Sequence, residues 1–219
     1  MHSHDPNPVQ QGAVRQEDGP RAGETNVPSD GEIIQAVLAG DTGRYAQLVD
    51  RYQRAAWKLA YSFLGNMQDS EEISQNSFVK AYRNLRRFKG KSKFYTWLYR
   101  IILNECKDLL RHRRRRPQTV PLDGEPEDPS LFEPADTGAS PREQAGNREL
   151  AVMLTRLIRQ LPEKQQTAFV LHHVQGLTIE EASRVMGCRA GTVKSHLFRA
   201  TERLRSSLEP KLLAQEGPG

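Results

Sequence analysis

The segment from residue 117 to residue 139 constrains this chain more than any other. It holds Pro117, Pro121, Pro126, Pro129 and Pro134, together with the acids Asp123, Glu125, Glu127, Asp128, Glu133 and Asp136, and it contains no lysine or arginine. Each proline removes a backbone donor and fixes φ, so neither a helix nor a central strand runs through it. The carboxylates repel one another and extend what remains. Directly before it stands Arg111-His112-Arg113-Arg114-Arg115-Arg116. A chain that flips from strongly basic to strongly acidic within a few residues, with no apolar periodicity, reads as a tether. What lies on either side must therefore fold as two small units. Composition agrees, because 37% hydrophobic and 7% aromatic residues among 219 are too few for one large core.

Both units read as helical. Residues 1–29 are rich in Pro, Gly, Gln and Asp and are expected to be disordered, since they bury too little to offset ordering entropy. From Asp30, Ile33, Ile34, Val37 and Leu38 recur at helical spacing and stop at Gly40. Tyr45, Leu48, Val49, Tyr52, Ala56, Leu59, Ala60 and Phe63 form a second stripe, with Gly65 as C-cap. Asp69 and Glu72 suggest a capping-box start to a third helix carrying Ile73, Phe78, Ala81, Tyr82 and Leu85. The loop from Phe88 to Lys93 leads into a fourth, with Phe94, Trp97, Leu98, Ile101, Ile102 and Leu109 on one stripe. Beyond the tether, Ser140-Pro141-Arg142-Glu143 opens a helix with Leu150, Leu154, Leu157, Ile158 and Leu161. Pro162 ends it and starts another, holding Phe169, Val170, Leu171 and Val174. No alternating strand pattern interrupts the helical units. The fold expected is all-α: two small helical domains (30–116 and 140–213) joined by a flexible acidic Pro-rich linker (117–139), with a disordered tail at 214–219.

Cys106 and Cys188 lie far apart, each inside a helical pattern, with neither a disulfide framework nor a Cys-x-x-Cys metal knuckle. No apolar run is long enough to span a bilayer and no signal-peptide pattern opens the chain, so a soluble cytoplasmic protein is expected. The formal net charge of +5 says little by itself; where the charge sits says more.

The sharpest motif is near the end. Thr178-Ile179-Glu180-Glu181 is a capping box, a helix runs to a turn at Gly187, and Val193, Leu197, Leu204 and Leu208 share one face of the last helix. This is the helix-turn-helix pattern. Ser183 is small enough for a close helix crossing, Gly187 accepts a left-handed turn, and Val193 and Leu197 anchor the second helix. Arg189, Thr192, Lys194, Ser195, His196 and Arg199 then face outward, a set suited to base edges and phosphates of the major groove. The plain alternative for this segment alone is a helical hairpin with a solvated basic face.

The first unit carries a different signal. Lys80, Arg83, Arg86, Arg87, Lys89, Lys91, Lys93, Arg100, Lys107 and Arg111 are opposed by only Glu105 and Asp108, and Phe88, Phe94, Tyr95, Trp97 and Tyr99 lie among them. Cations track phosphates and aromatic faces stack unpaired bases, so the combination suits single-stranded nucleic acid. Trp97 taken alone reads as core.

Three segments together resemble one family. Phe88-Lys89-Gly90-Lys91-Ser92-Lys93-Phe94-Tyr95-Thr96-Trp97-Leu98-Tyr99-Arg100-Ile101 is similar to the promoter-melting segment of extracytoplasmic-function sigma factors. Asp69-Ser70-Glu71-Glu72-Ile73-Ser74-Gln75-Asn76-Ser77-Phe78 resembles their polymerase-binding helix. Leu161-Pro162-Glu163 through Arg205, including Gly191-Thr192-Val193-Lys194-Ser195, resembles their DNA-reading domain. The likeness runs from about Ile33 to Leu208 in the family's order. It implies core RNA polymerase and promoter DNA as partners, with an anti-sigma factor as a further one. Asp69, Glu72, Gln75 and Phe78 would dock on the polymerase clamp. Lys89, Lys91, Ser92 and Lys93 would capture a flipped base of the minus-ten element, with Tyr95, Trp97, Arg100, Asn104 and Lys107 supporting the separated strand. Arg189, Thr192, Lys194, Ser195, His196 and Arg199 would read the minus-thirty-five duplex. Asn76, Arg189 and His196 depart from the family's usual acid, proline and arginine; the first would weaken or retune the clamp contact, and the other two leave the exact minus-thirty-five sequence open.

An enzyme needs a convergent site, and the sequence offers none. His172 and His173 are adjacent and so do not share a helix face as metal ligands usually do. There is no Gly-rich phosphate loop and no nucleophile elbow, so neither cofactor, metal nor small-molecule substrate is implied. Two other classes remain open at this point. A stand-alone helix-turn-helix regulator accounts for residues 140–213 but leaves the first unit idle. A protein-binding adaptor leaves the basic recognition face unexplained.

Overall fold

The computed structural model describes the backbone of residues 27–115 and 141–215 and the side chains of residues 27–115 and 150–209. The N-terminal extension to residue 26, the tether and residues 216–219 lie outside these, as do the expectations placed on them. Among the described residues there are eight α-helices and no strand.

The first unit is built from α1 (Asp30–Leu38), α2 (Tyr45–Leu64), α3 (Met67–Arg83) and α4 (Phe94–Arg115). Ser29 starts α1: its hydroxyl accepts from the Glu32 amide while Glu32 returns to the Ser29 amide, satisfying two donors that a helix start leaves free. Helix α2 ends where Gly65 adopts φ 64°, a left-handed cap that a side chain would strain. The next helix starts two residues before the expected Asp69. Asn66 is its N-cap, and its side-chain oxygen accepts from the Asp69 amide, so Asp69 lies inside the first turn and is free to act elsewhere. Helices α2, α3 and α4 pack on one another around Leu48, Leu59, Phe94, Leu98 and Ile102, all essentially excluded from water.

The second unit contains α5 (Pro141–Arg159), α6 (Glu163–Phe169), α7 (Ile179–Met186) and α8 (Ala190–Gln215). Pro162 separates α5 from α6 as expected. The helix after it is not uniform, however. Val170–Val174 forms a π-helical turn, closed by the Gln175 amide donating to the Val170 carbonyl at 2.9 Å. Thr178 and Glu181 make the capping box of α7, and Gly187 ends it at φ 64°. Val193, Leu197 and Leu204 of α8 are buried against α6 and α7. Leu150, placed on the apolar stripe of α5, is 38% exposed; the inward face of that helix is set by Ala151, Leu157 and Ile158.

The two units touch. Helix α7 packs on α4, while α5 and the π-helical turn pack on α2, and their buried side chains form one continuous cluster. Gln166, buried in α6, donates to the Ser62 carbonyl of α2 at 3.0 Å. Sequence reading placed two helical units in the chain but did not foresee this packing. The residues that meet are too far apart in the chain for any local pattern to pair them.

Candidate nucleic-acid interface

The loop between α3 and α4 sets up an aromatic platform. A 310 turn at Leu85–Arg87 buries Leu85 and points Phe88 back toward α4. Phe88 lies 5.3 Å from Trp97 and 6.0 Å from Phe94 between ring centroids, and Phe94 lies 6.0 Å from Trp97. These are the offset and edge-on spacings that aromatic rings prefer. Phe94 is fully buried, whereas Trp97 is half-buried, so Trp97 is both core and surface. Tyr95 extends the platform, 5.8 Å from Tyr99 and 6.3 Å from Tyr52 of α2.

Around the platform, Lys89, Lys91, Lys93, Arg100 and Asn104 are exposed, and Ser92 and Lys107 are half-exposed. The loop, with Gly90 at φ 67°, therefore presents cations beside aromatic faces. Part of this charge is already engaged. Lys80 pairs with Glu105, Arg111 with Asp108, Lys93 with Glu181 at 3.1 Å, and Lys107 with Glu163 at 3.0 Å. Tyr95 also donates to Glu181; that hydrogen bond, ahead of those from Thr178 and Lys93, holds the Glu181 carboxyl at about 2. Burial raises Tyr99 to about 12, keeping it a hydroxyl donor.

Tyr52 is a member of this cluster that sequence reading assigned only to an apolar stripe. Its ring lies 5.7 Å from Phe94, and its hydroxyl donates to Asp30 at 2.6 Å. Arg51 holds the same carboxylate. The residues come from α1, α2 and α4, and no motif links them.

On α3 the four residues assigned to the polymerase separate. Glu72 and Gln75 are exposed; Phe78 is buried and lines a groove of about 610 Å³ between α2 and α3 with Val49, Arg54, Trp57 and Gln75. Asp69 is half-buried and bound through both carboxylate oxygens, at 2.7 Å each, by Arg113 at the far end of α4. This two-pronged pair fixes the start of α3 to the basic run, a contact spanning 44 residues of sequence. Phe78 thus supports the groove from within and does not stand on the surface.

The helix-turn-helix presents a separate face. Arg189, Thr192, Lys194, Ser195 and Arg199 are exposed along the start of α8, whereas Val193 and Leu197 are buried beneath them. His196 departs from the outward placement: it is half-buried, and burial, followed by Lys164 and Arg199, lowers its pKa and favours the neutral ring. Phe198 stands 68% exposed between the cations.

Comparison with known proteins assigns both faces to one family. Residues 48–116 match Sigma-70 region 2, and residues 151–204 match Sigma-70, region 4. The RNA polymerase sigma-H factor of Pseudomonas aeruginosa is 37% identical over 187 residues, spanning 84% of this chain and 95% of that protein. The chain belongs to the extracytoplasmic-function sigma factors. The ECF RNA polymerase sigma-E factor of Escherichia coli is 34% identical over 183 residues, covering 83% of this chain and 95% of its own length. The structure of CnrH in complex with the cytosolic domain of CnrY superposes with a TM-score of 0.60 at 24% identity, covering 81% of this chain and 96% of that one. The sigma factor RpoE, solved with the anti-sigma factor NepR from Bartonella quintana, gives 0.59 at 24% identity over 75% of this chain and 96% of that one. As a sigma factor, the chain binds core RNA polymerase and promoter DNA and directs promoter-specific transcription. The region 2 match gives the first unit a role that a stand-alone regulator would leave empty.

Proposed function

We propose that the sigma factor divides its work between the two units. The first docks on the polymerase through the α2–α3 groove, with Gln75 and Phe78 in its wall, Glu72 exposed beside it and Asp69 held by Arg113 at the start of α3. It then opens the minus-ten element: Lys89, Lys91, Ser92 and Lys93 take a flipped base, and Tyr95, Trp97, Arg100, Asn104 and Lys107 hold the released strand. The second unit reads the minus-thirty-five duplex with Arg189, Thr192, Lys194, Ser195 and Arg199, and with His196 as a neutral, partly covered neighbour. The boundaries follow: region 2 function in 30–116, region 4 function in 140–213, and a tether in 117–139.

One observation carries the reading: the half-exposed Trp97, packed at a tilt against Phe88 and Phe94, stands beside a cationic loop in the same chain as an open helix-turn-helix face. Unstacking a base costs a few kcal/mol, and stacking on aromatic faces offsets about 1–3 kcal/mol per base. The chemistry is recognition and strand separation, and the protein is not an enzyme. Among the described residues no helix is long and apolar enough to cross a membrane and no cluster of ligands could hold a metal ion. We place its action in the cytoplasm, where polymerase and chromosome are, in a stress or envelope-signal response. Because two of its structural relatives were solved with protein partners, CnrY and the anti-sigma factor NepR, an anti-sigma factor is the regulator proposed here.

Run-off transcription with purified core polymerase on genomic promoter fragments tests the reading. Core-dependent transcripts from defined start sites are expected, and their absence would overturn it. Substituting Trp97 and the Lys89–Lys93 loop is expected to abolish opening while leaving association with core intact.

A further inference from the structure

Two ion pairs join α3 to α4. Asp69, in the first turn of α3, meets Arg113 in the last turn of α4, and Lys80, near the end of α3, meets Glu105. The pairs are unequal. Lys80 leaves 51% of its side chain in water, whereas Arg113 and Asp69 are 29% and 17% exposed and share two hydrogen bonds of 2.7 Å. A guanidinium fork matches a carboxylate in plane, so it fixes direction as well as distance; an ammonium is a point charge and does not. Each charge also stands where its own helix favours it, an acid at an N-terminus and a cation at a C-terminus. The Asp69–Arg113 pair is built to hold one arrangement.

What it orients follows from the two helices. Asn66 already caps α3, accepting from the Asp69 amide at 2.9 Å, so the Asp69 carboxylate is not spent on the cap. Both of its oxygens turn onto α4, while Glu72 and Gln75, farther along α3, are exposed. Helix α4 runs unbroken from Phe94 to Arg115, so Arg113 lies about 24 Å along the same rod from Trp97.

We propose that Arg113 is a positioning residue for polymerase binding. Acting through Asp69, it sets the direction of α3 against α4, so that Glu72 and Gln75 meet the polymerase while Trp97 is held at a fixed offset from them. Asp69 works inside the sigma factor and does not itself touch polymerase. The inference rests on the docking of polymerase along α3 proposed above. It joins two residues that the sequence presents apart, one within an acidic docking motif and the other within a run of cations.

Equilibrium binding of the full chain to purified core polymerase tests this through a double-mutant cycle. Asp69→Asn and Arg113→Gln are each expected to weaken binding about tenfold, because a loosened α3 spends less time in the competent direction. Asp69→Asn/Arg113→Gln is expected to lose no more than either alone. Arg113→Lys keeps the charge and loses the fork, and is expected to fall between native and Arg113→Gln; it also keeps the test open should Arg113→Gln unfold, as read by circular dichroism. Glu105→Gln removes the other pair between the same helices, and its affinity is expected to stay within about twofold of native, since so exposed a pair fixes little. A direct contact by Asp69 predicts otherwise: Asp69→Asn would weaken binding and Arg113→Gln would not. That result, additive losses in the double variant, an equal loss in Glu105→Gln, or native affinity throughout would each overturn the proposal. Glu72→Ala/Gln75→Ala separates it from the reading beneath. Native affinity there refutes docking along α3, whereas a loss there without coupling between Asp69 and Arg113 refutes only the positioning role.

Discussion

The two surfaces proposed to meet DNA in this sigma factor are finished to different degrees. On α8, Arg189, Thr192, Lys194, Ser195 and Arg199 stand in solvent over the buried Val193 and Leu197. On α4 Tyr95, Tyr99, Arg100 and Lys107 are engaged and the aromatic rings are half covered, by Tyr52 from one side and by α7 from the other. The contrast follows from what each surface would read. Duplex DNA offers its groove edges without rearrangement, so short polar and cationic side chains on a rigid helix can wait in water. Unpaired bases offer apolar faces, and the rings that would stack on them are costly to leave bare.

The largest expected effect breaks the comparison on one side only. Trp97→Ala should lower open-complex formation by about 5–150-fold, the value of about 1–3 kcal/mol of base stacking, while protection of the minus-thirty-five duplex is unchanged. Footprinting the holoenzyme on one promoter reads both. Next comes the reverse. Arg189→Ala with Lys194→Ala should weaken duplex binding by roughly tenfold or more, and should flatten its salt dependence by about two phosphate contacts, read as the slope of log K against log salt.

A pair of glycines sharpens the comparison at the level of stability. Gly65 and Gly187 are both left-handed helix caps at φ 64°. An added Cβ at Gly187 meets open space, whereas at Gly65 it collides with the Arg159 guanidinium of the second unit. Gly187→Ala should cost about 1 kcal/mol, the ordinary penalty of that conformation. Gly65→Ala should carry the same conformational cost and turn the flexible end of Arg159 aside, so it should exceed Gly187→Ala only slightly. Thermal melting of the two variants reads the difference.

The smallest effects concern titration. Glu181 sits at about 2 against a usual 4.5. A lowered carboxylate pKa stabilises above the usual value and is lost as pH falls through the lowered one. The contribution of Glu181 to the packing of the two units should therefore be constant from pH 8 to pH 5 and be lost only below about 4.5, as read by Lys107 protection from acetylation. Burial pushes the Cys106 thiol up to about 12, and Cys188 is half-exposed. Iodoacetamide at pH 8 should label Cys188 and spare Cys106 until the chain is unfolded.

What the sequence disclosed tracks the range of the interactions involved. Helix starts and stops governed by neighbours three or four residues apart were legible: the Thr178–Glu181 box, the Gly65 and Gly187 caps and the break at Pro162. The start of α3 was misplaced because Asn66 caps it as well as an aspartate would, and Asp69-Ser70-Glu71-Glu72 imitates the same pattern one turn later. The π-helical turn at Val170–Val174 was hidden because its apolar spacing fits an α-helix equally well. Contacts between distant segments were out of reach. Tyr52 under Tyr95, Arg113 on Asp69 and Glu181 on Lys93 each join residues dozens of positions apart, and only packing brings them together. Exposure followed the same limit: Leu150 and Phe78 have the right spacing for their stripes, but how far each is buried depends on neighbours from other helices.

Permanganate footprinting of thymines on a natural promoter, with core polymerase and this sigma factor, most directly examines the division between the units. With the native chain, reactive thymines should appear across the minus-ten element. With Trp97→Ala they should disappear while the minus-thirty-five element remains protected from nuclease. Reactive thymines of native intensity with Trp97→Ala, or none with the native chain bound at its promoter, would contradict the account.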